Sequence, residues 1–122
     1  MNFSHSIDMK TEIIVTLAVD GIHKFPAAHQ LFPEVAFLSY DHRHAFHFKI
    51  YKLVQHDDRD VEFIMFKRDV LQYLNKYYDT ELRSLNFGAR SCEMLAKEIL
   101  LQFDCTQVEV WEDLENGARV TK

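Results

Sequence analysis

Two histidines separated by one residue, His42 and His44, are the part of the sequence best suited to chemistry. On a β-strand, side chains two residues apart leave the same face, with Cα atoms about 6.5–7 Å apart, so both imidazoles can reach one metal ion. His29 ends the preceding predicted strand, and an antiparallel return would bring it near His42. Three neutral imidazoles leave a fourth coordination position open, which is typical of a catalytic zinc site. The alternative is that these are surface histidines at strand ends.

Two strands must position these histidines. Between Thr11 and Val19, β-branched apolar residues alternate with other side chains, and this pattern predicts a strand that extends to Leu31. Pro26 cannot donate a ladder hydrogen bond, so we expect the end of this strand at a sheet edge or a bulge. A loop is predicted over residues 32–41, and a second strand over residues 42–55.

After a polar turn the spacing of apolar residues changes to three and four. This period predicts an amphipathic helix from Phe63 to Tyr77 and a second helix that ends near Phe103, with Ser91 as its N-cap. A connection from Asp79 to Arg90 joins the two helices. A third strand is predicted around Val108 and Val110, and a fourth from Ala118 to Thr121. The turn Glu115-Asn116-Gly117 joins them.

The predicted order is therefore β-β-α-α-β-β, which makes an α+β fold. Two helices would cover one face of a four-stranded, largely antiparallel sheet. The other face has no helices, so we expect an oligomer. A chain of 122 residues and 14.5 kDa suits one domain, 1–122, with residues 1–10 as a frayed terminus.

Composition excludes several classes of protein. The net charge of −5 disfavours a nucleic-acid-binding role, which normally needs a basic face. No apolar run reaches the roughly 18 residues of a membrane span, and the N-terminus lacks the pattern of a signal peptide. Two cysteines, Cys92 and Cys105, are too few for a disulfide framework. We therefore expect free thiols and a cytoplasmic location.

Five short segments also form a pattern together. They are Phe25-Pro26-Ala27-Ala28-His29, His42-Arg43-His44, Val61 to Lys67, Arg90 to Ala96, and Val108 to Glu112. In that order they resemble the Phe-x-Ala-Ala-His, His-Gly-His, Val-x-Asp-Phe-x-x-Leu-Lys, Pro-Thr-x-Glu-Asn-x-Ala and Val-x-Val-x-Glu motifs of the 6-pyruvoyl tetrahydropterin synthase / 6-carboxytetrahydropterin synthase family. The resemblance covers about residues 12–120, and β-β-α-α-β-β is also the order of that family's tunnelling fold.

The resemblance implies a zinc-dependent lyase that acts on 7,8-dihydroneopterin triphosphate or a related reduced pterin. It assigns the zinc to His29, His42 and His44, and the pterin to Glu112 and Ser91. A carboxylate can accept two parallel N–H bonds from the pterin's aminopyrimidine edge. The resemblance also implies a homotrimer, or a homohexamer of two stacked trimers, with the site between subunits. The pathway stays open among queuosine-type deazapurine, biopterin and folate synthesis.

The proton-transfer half of the family's site is changed in this sequence. Leu38 stands at the position of the catalytic cysteine, and it cannot transfer a proton. Thr80 follows Asp79 where the family has an Asp-His pair. Asp79, Asp41 and Tyr40 are therefore the residues that we predict as substitutes in proton transfer.

Three functions follow as hypotheses. The first is a zinc-dependent enzyme on a reduced pterin, and the second is a catalytically impaired homologue that binds pterins. The third is a small α+β interaction module whose histidines are incidental. Metal analysis separates the third from the others, and turnover of pterin substrates separates the first from the second.

Overall fold

A long antiparallel hairpin forms the centre of the fold. The computed structural model describes residues 8–122, so residues 1–7 of the predicted frayed terminus lie outside the described range. Strand β1 (Thr11–His23) pairs with strand β2 (His42–Val54) along its whole length. The second predicted strand is thus confirmed, and the hairpin brings the end of β1 directly beside the start of β2.

The first strand is shorter than predicted. The prediction that it extends to Leu31 is wrong, because the chain turns at Pro26 and then forms a one-turn helix, α1 (Ala28–Leu31). A 3₁₀ segment, Pro33–Ser39, follows where a loop was predicted. The Phe25 N–H donates to the carbonyl of Leu38 (2.7 Å), which closes this segment against the end of the hairpin.

The sheet has six strands and not the four predicted. Two short strands, β3 (Tyr78–Asp79) and β4 (Ser84–Gly88), lie in the stretch predicted as a connection between helices. Strand β4 runs parallel to β1, so the sheet is mixed. With β5 (Gln107–Glu112) and β6 (Asn116–Thr121), the order across the sheet is β3-β4-β1-β2-β5-β6. The α+β class is confirmed.

Two helices pack on the sheet. They are α2 (Phe63–Leu74), which continues into a 3₁₀ turn at Asn75–Tyr77, and α3 (Cys92–Gln102). Ser91 is the N-cap of α3, as predicted, since its hydroxyl accepts the N–H of Met94 (3.1 Å). No helix within residues 8–122 is both long and apolar enough to cross a membrane. One core cluster joins both helices to the central strands through Val15, Leu17, Phe46, Phe48, Ile50, Phe66, Val70, Leu74, Leu95, Ile99, Val108 and Val110.

The tight turn between β5 and β6 lies before the predicted Asn116-Gly117. Asp113 and Leu114 are its central residues, with φ angles of 54° and 58°, and the Glu115 N–H donates to the Glu112 carbonyl (2.9 Å). Positive φ at both central positions is the type I′ geometry that suits the twist of a hairpin. The shift has a consequence for the site, because it puts Asp113 at the end of the sheet beside β2.

Candidate metal centre

Three imidazole rings meet where the central hairpin ends. His23 is the last residue of β1 and lies opposite His42, the first residue of β2, while His44 follows on the same face as His42. The ring centroids are 4.5 Å apart for His23 and His42, 5.1 Å for His42 and His44, and 5.4 Å for His23 and His44. One nitrogen from each ring lies within 4.8 Å of the other two. This group could hold a metal ion.

A close-packed aromatic floor supports the rings. Phe46 is fully buried, and its ring packs edge-to-face against those of His23 (5.0 Å) and His44 (5.7 Å). Gly21 lies opposite His44 in the hairpin, and a Cβ atom there would come within 2.5 Å of the Phe87 ring. The glycine is therefore required for Phe46 and Phe87 to pack together beneath the histidines.

Each ring uses its Nδ1 atom in a hydrogen bond to an oxygen. A carbonyl oxygen or an ionised carboxylate can only accept, so Nδ1 carries the proton in each case. In the neutral form of each ring, Nε2 then carries the lone pair. The acceptors for His23, His42 and His44 are the Arg90 carbonyl (2.8 Å), the Tyr40 carbonyl (2.8 Å) and the Asp113 carboxylate (2.7 Å).

A carboxylate faces the space between the histidines. The Nε2 atoms of His23 and His44 are buried and have no hydrogen-bond partner within residues 8–122. The Glu112 carboxylate lies against them, with Oε2 3.0 Å from Nε2 of His23 and Oε1 3.6 Å from Nε2 of His44. A lone pair facing a carboxylate oxygen at this distance is repulsive unless a proton or a cation lies nearby. Three imidazoles beside a carboxylate suit a divalent cation.

The pKa shifts reflect the same need. Burial by itself lowers the pKa of His23, but the Glu112 carboxylate and the Arg90 carbonyl raise it above its ordinary value. The contact with His23 holds the pKa of Glu112 below its usual range, against the opposing effect of burial. Glu112 is therefore ionised at neutral pH, and its charge is directed at the histidines.

Asp113 connects His44 to the strand beneath it. One carboxylate oxygen accepts from Nδ1 of His44, and the other accepts from the N–H of Ala45 (2.8 Å). The Asp113 N–H also donates to the Ala45 carbonyl (2.8 Å). The hydrogen bond from His44 keeps the pKa of Asp113 below its ordinary value. A carboxylate that holds the outer nitrogen of a histidine is a frequent support of metal ligands in proteins.

A cavity of about 520 Å³ opens beside His23 and His42. The two residues predicted to bind substrate, Glu112 and Ser91, both line it. Leu38, which was predicted to replace a catalytic cysteine, lines it as well. The apolar part of the wall includes Phe25 and Phe32.

The structure brings His23 and not His29 to the other two histidines, which corrects the predicted ligand set. His29 is exposed on α1 and borders a separate surface depression. The physical reason is the turn at Pro26, which ends the strand before it reaches His29. His23 is the member of the group that sequence reasoning missed. The signal for it was present, since His23 continues the inward alternation of Val15 and Leu17.

The three residues predicted to transfer protons do not line this cavity. The Tyr40 side chain is 76% exposed, and only its carbonyl contacts the site, through His42. Asp41 is exposed as well. Asp79 borders a different cavity, and its carboxylate accepts the N–H groups of Glu81 and Leu82 in a local turn.

Both cysteines are buried free thiols. Cys92 lines the cavity, but burial and the nearby Glu112 raise the pKa of its thiol to about 12. Burial also raises the pKa of Cys105 to about 11. Neither is a thiolate at neutral pH, so neither supplies a ready nucleophile or proton acceptor.

Comparison with known proteins leaves the motif resemblance as it stood. No protein-family model matches the chain, and no curated protein matches it. The interpretation of the site therefore depends on its own geometry and on the motifs quoted above.

Proposed function

We propose that the protein is a zinc-dependent enzyme of the tunnelling fold that acts on a reduced pterin, as a lyase similar to 6-pyruvoyl tetrahydropterin and 6-carboxytetrahydropterin synthases. The observation that carries this proposal is that one ring nitrogen each of His23, His42 and His44 lie within 4.8 Å of one another, with Nδ1 of every ring in a hydrogen bond. Three histidines with a fourth position open are the ligand set of many catalytic zinc sites. A bound zinc ion would supply Lewis acidity toward side-chain oxygens of the substrate.

The cavity beside the histidines supports a flat, hydrogen-bonding substrate. Glu112 is ionised and lines the cavity, but both of its oxygens face His23 and His44 in this structure, so it can accept two parallel N–H bonds from an aminopyrimidine edge only after its side chain turns toward the cavity. Phe25 and Phe32 provide apolar surface for a planar ring. Ser91 lines the same cavity, but its hydroxyl caps α3 by accepting a backbone N–H. Its lone pairs are therefore partly committed, and Glu112 is the stronger anchor.

Proton transfer is the weakest part of the enzyme hypothesis. Leu38 lines the cavity at the position where the resemblance expects a cysteine, and the nearby thiol of Cys92 is held protonated. This observation favours the second function, a pterin-binding homologue with slow or no turnover. We therefore expect weak conversion of dihydroneopterin triphosphate, with binding largely intact.

A closed homotrimer or homohexamer is part of the same proposal. Ile14 and Leu53 are exposed on the sheet, and β6 is an edge strand with unpaired backbone groups within the described chain. Closure of several sheets into a barrel would remove such edges. Light scattering should give the mass of three or six chains, and a monomer at micromolar concentration would contradict the proposal.

A cytoplasmic location is also proposed, because two buried free thiols suit a reducing compartment.

Metal content tests the ligand set directly. Protein purified without a histidine tag should contain one zinc per chain by elemental analysis. His23→Ala should lose the metal, whereas His29→Ala should keep it, because His29 is exposed and apart from the group. The pair also separates the ligand set seen in the structure from the one predicted by the sequence. Zinc retained in His23→Ala and lost in His29→Ala would refute the assignment made here.

Substrate binding and turnover are then measured on the metal-loaded protein. Calorimetry with reduced pterins reports binding, and chromatography after incubation with 7,8-dihydroneopterin triphosphate reports product. Turnover supports the enzyme, and binding without turnover supports the second function. Leu38→Cys places a thiol in the cavity, so a gain in product over the wild type would support the lost proton relay. Absence of both metal and pterin binding would leave the interaction module.

A further inference from the structure

A half-buried carboxylate on α3, outside the proposed site, collects four partners. Glu98 accepts hydrogen bonds from the hydroxyls of Tyr73 (2.8 Å) and Tyr77 (2.5 Å). It also forms ion pairs with Lys76 Nζ (3.4 Å) and Arg90 Nε (3.4 Å). Burial alone would raise the pKa of Glu98, but the two tyrosines and Lys76 hold it below its ordinary value. The carboxylate therefore links the end of α2, the loop before α3, and α3 itself.

Arg90 connects this cluster to the histidines. Its guanidinium lies 4.6 Å from the centroid of the Tyr77 ring, pairs with Glu98, and donates to the Phe87 carbonyl (3.1 Å). The side chain of Arg90 is thus held at three points. The backbone carbonyl of the same residue accepts the hydrogen bond from Nδ1 of His23 (2.8 Å).

We propose that Glu98 is a positioning residue for the metal centre: through the side chain of Arg90 it fixes the carbonyl that orients His23. This inference rests on the metal site proposed above. Nε2 of His23 carries a free lone pair only while Nδ1 keeps its proton and its acceptor. Loss of a well-placed acceptor would let the ring rotate and would mix its tautomers, so fewer molecules would present the ligand geometry.

The loop that carries the carbonyl has backbone anchors of its own. The Lys24 N–H donates to the Gly88 carbonyl (2.9 Å), and the Arg90 N–H donates to the Phe87 carbonyl (3.2 Å). Removal of the Arg90 side chain leaves these bonds and the His23 acceptor in place. A variant at this position therefore tests how well the carbonyl is positioned, with the loop still folded.

The experiment compares two variants of the path that runs from Glu98 through Arg90 to His23 with one control variant outside that path. Arg90→Ala removes the side chain that joins Glu98 to the His23 acceptor, and Glu98→Gln removes the charge and one of the two acceptor oxygens that hold Arg90, Tyr73 and Tyr77. Lys76→Ala removes the other cation that pairs with Glu98 but leaves the Glu98–Arg90 pair and the His23 acceptor in place, so it is the matched control. Zinc affinity is measured by competition with a chromophoric chelator, and the His23 tautomer is measured by ¹⁵N NMR of the metal-free protein.

We expect zinc affinity to fall about tenfold in Arg90→Ala and in Glu98→Gln, at the lower end of the effect of outer-shell partners. Lys76→Ala should bind zinc like the wild type. In the metal-free protein, at a pH high enough for a neutral His23 ring, the Nδ1–H tautomer of His23 should be clear in the wild type and in Lys76→Ala, and mixed in the other two variants. Melting temperatures report any loss of folding separately.

Three outcomes would overturn the inference. They are an unchanged His23 tautomer in both path variants, unchanged zinc affinity in both, or an equal loss of affinity in Lys76→Ala. Failure of the proposed function looks different, because the wild type would then bind no zinc. The tautomer of His23 in the metal-free variants would still test the role of Glu98 in that case.

Discussion

Asp113→Asn is the change that most directly tests how His44 is prepared for a metal. The carboxylate uses one oxygen for Nδ1 of His44 and the other for the N–H of Ala45. Asparagine has the same size and tolerates the positive φ of 54° at this position. It offers only one acceptor, however, so it cannot satisfy both donors.

Either orientation of the new amide damages one contact. If the carbonyl of Asn faces Ala45, its NH₂ group meets Nδ1 of His44, and the ring must move its proton to Nε2. That tautomer has no lone pair at Nε2, and its Nδ1 lone pair accepts from the Asn amide. If the carbonyl faces His44, two donors meet at Ala45, and the turn is disturbed. Because loss of an outer-shell partner typically costs 10–100-fold in metal affinity, we expect a loss of about that size for zinc.

Asp104→Asn is the matched control. Asp104 also has a positive φ, of 51°, and its carboxylate binds only the exposed Lys122 among the described residues. The control therefore repeats the change of charge in the same backbone conformation, away from the histidines. Zinc affinity of stripped protein is measured by chelator competition, with circular dichroism and thermal melting to confirm folding.

The reasoning predicts a weaker site in Asp113→Asn alone. Wild-type zinc affinity in a folded Asp113→Asn protein would refute the role given to this carboxylate. An equal loss in Asp104→Asn would refute it too, because the effect would then follow net charge. A ¹⁵N NMR spectrum of the metal-free variant adds a direct check, since His44 should shift from the Nδ1–H toward the Nε2–H tautomer.

Three further predictions concern the packing beneath the histidines, the residue proposed to bind substrate, and the loss of folding stability at low pH. Gly21→Ala should lower the free energy of unfolding by about 1–3 kcal/mol in urea, because its Cβ would overlap two fully buried phenylalanine rings. An unchanged midpoint of unfolding would contradict this packing argument. Glu112→Gln should weaken pterin binding in calorimetry by about 1–3 kcal/mol, because one acceptor becomes a donor that faces another donor. Equal affinity would mean that the pterin is held elsewhere. Glu98 has a lower pKa when folded, so its stabilising effect is complete above the ordinary glutamate pKa of about 4.3 and is lost as the pH falls through the folded value. Glu98→Gln should therefore remove part of the loss of stability in acid, and a parallel pH profile would show that the shift has no energetic effect.

The elements with a strong local pattern were predictable from the sequence. The second strand and both main helices follow from periodicity, and Ser91 was recognised as a cap from its residue type and position. Strand β4 was missed because it is short and gains its identity from parallel pairing with β1, far away in sequence. The turn between β5 and β6 was predicted at Asn116-Gly117, because these residue types most readily adopt positive φ. In the structure Asp113 and Leu114 adopt the positive φ angles instead, so the turn comes earlier.

The third histidine was predictable in principle from two signals that had to be combined. The buried alternation of β1 passes through Val15 and Leu17 and reaches His23 in the same phase. His29 has that phase too, but only if the strand continues through Pro26. Since proline cannot donate a ladder hydrogen bond, the strand stops earlier, and His23 is the last in-phase histidine.

The oxygen atoms that accept hydrogen bonds from the three rings could not be predicted from local sequence. The Tyr40 carbonyl is two residues from His42, but Arg90 and Asp113 are far from His23 and His44 in sequence. Asp113 lies beside His44 only because β5 pairs with β2 in a register that puts Glu112 opposite Phe46. The strand ends at Glu112, and Asp113 is the first residue of the turn that follows. The three histidines of this group therefore have a local sequence signal, whereas the hydrogen bonds that fix the proton at Nδ1 depend on tertiary structure. A histidine pair with the same spacing but no such acceptors would lack a fixed proton at Nδ1, and we expect substitutions at Asp113 and Glu98 to reproduce that condition in this chain.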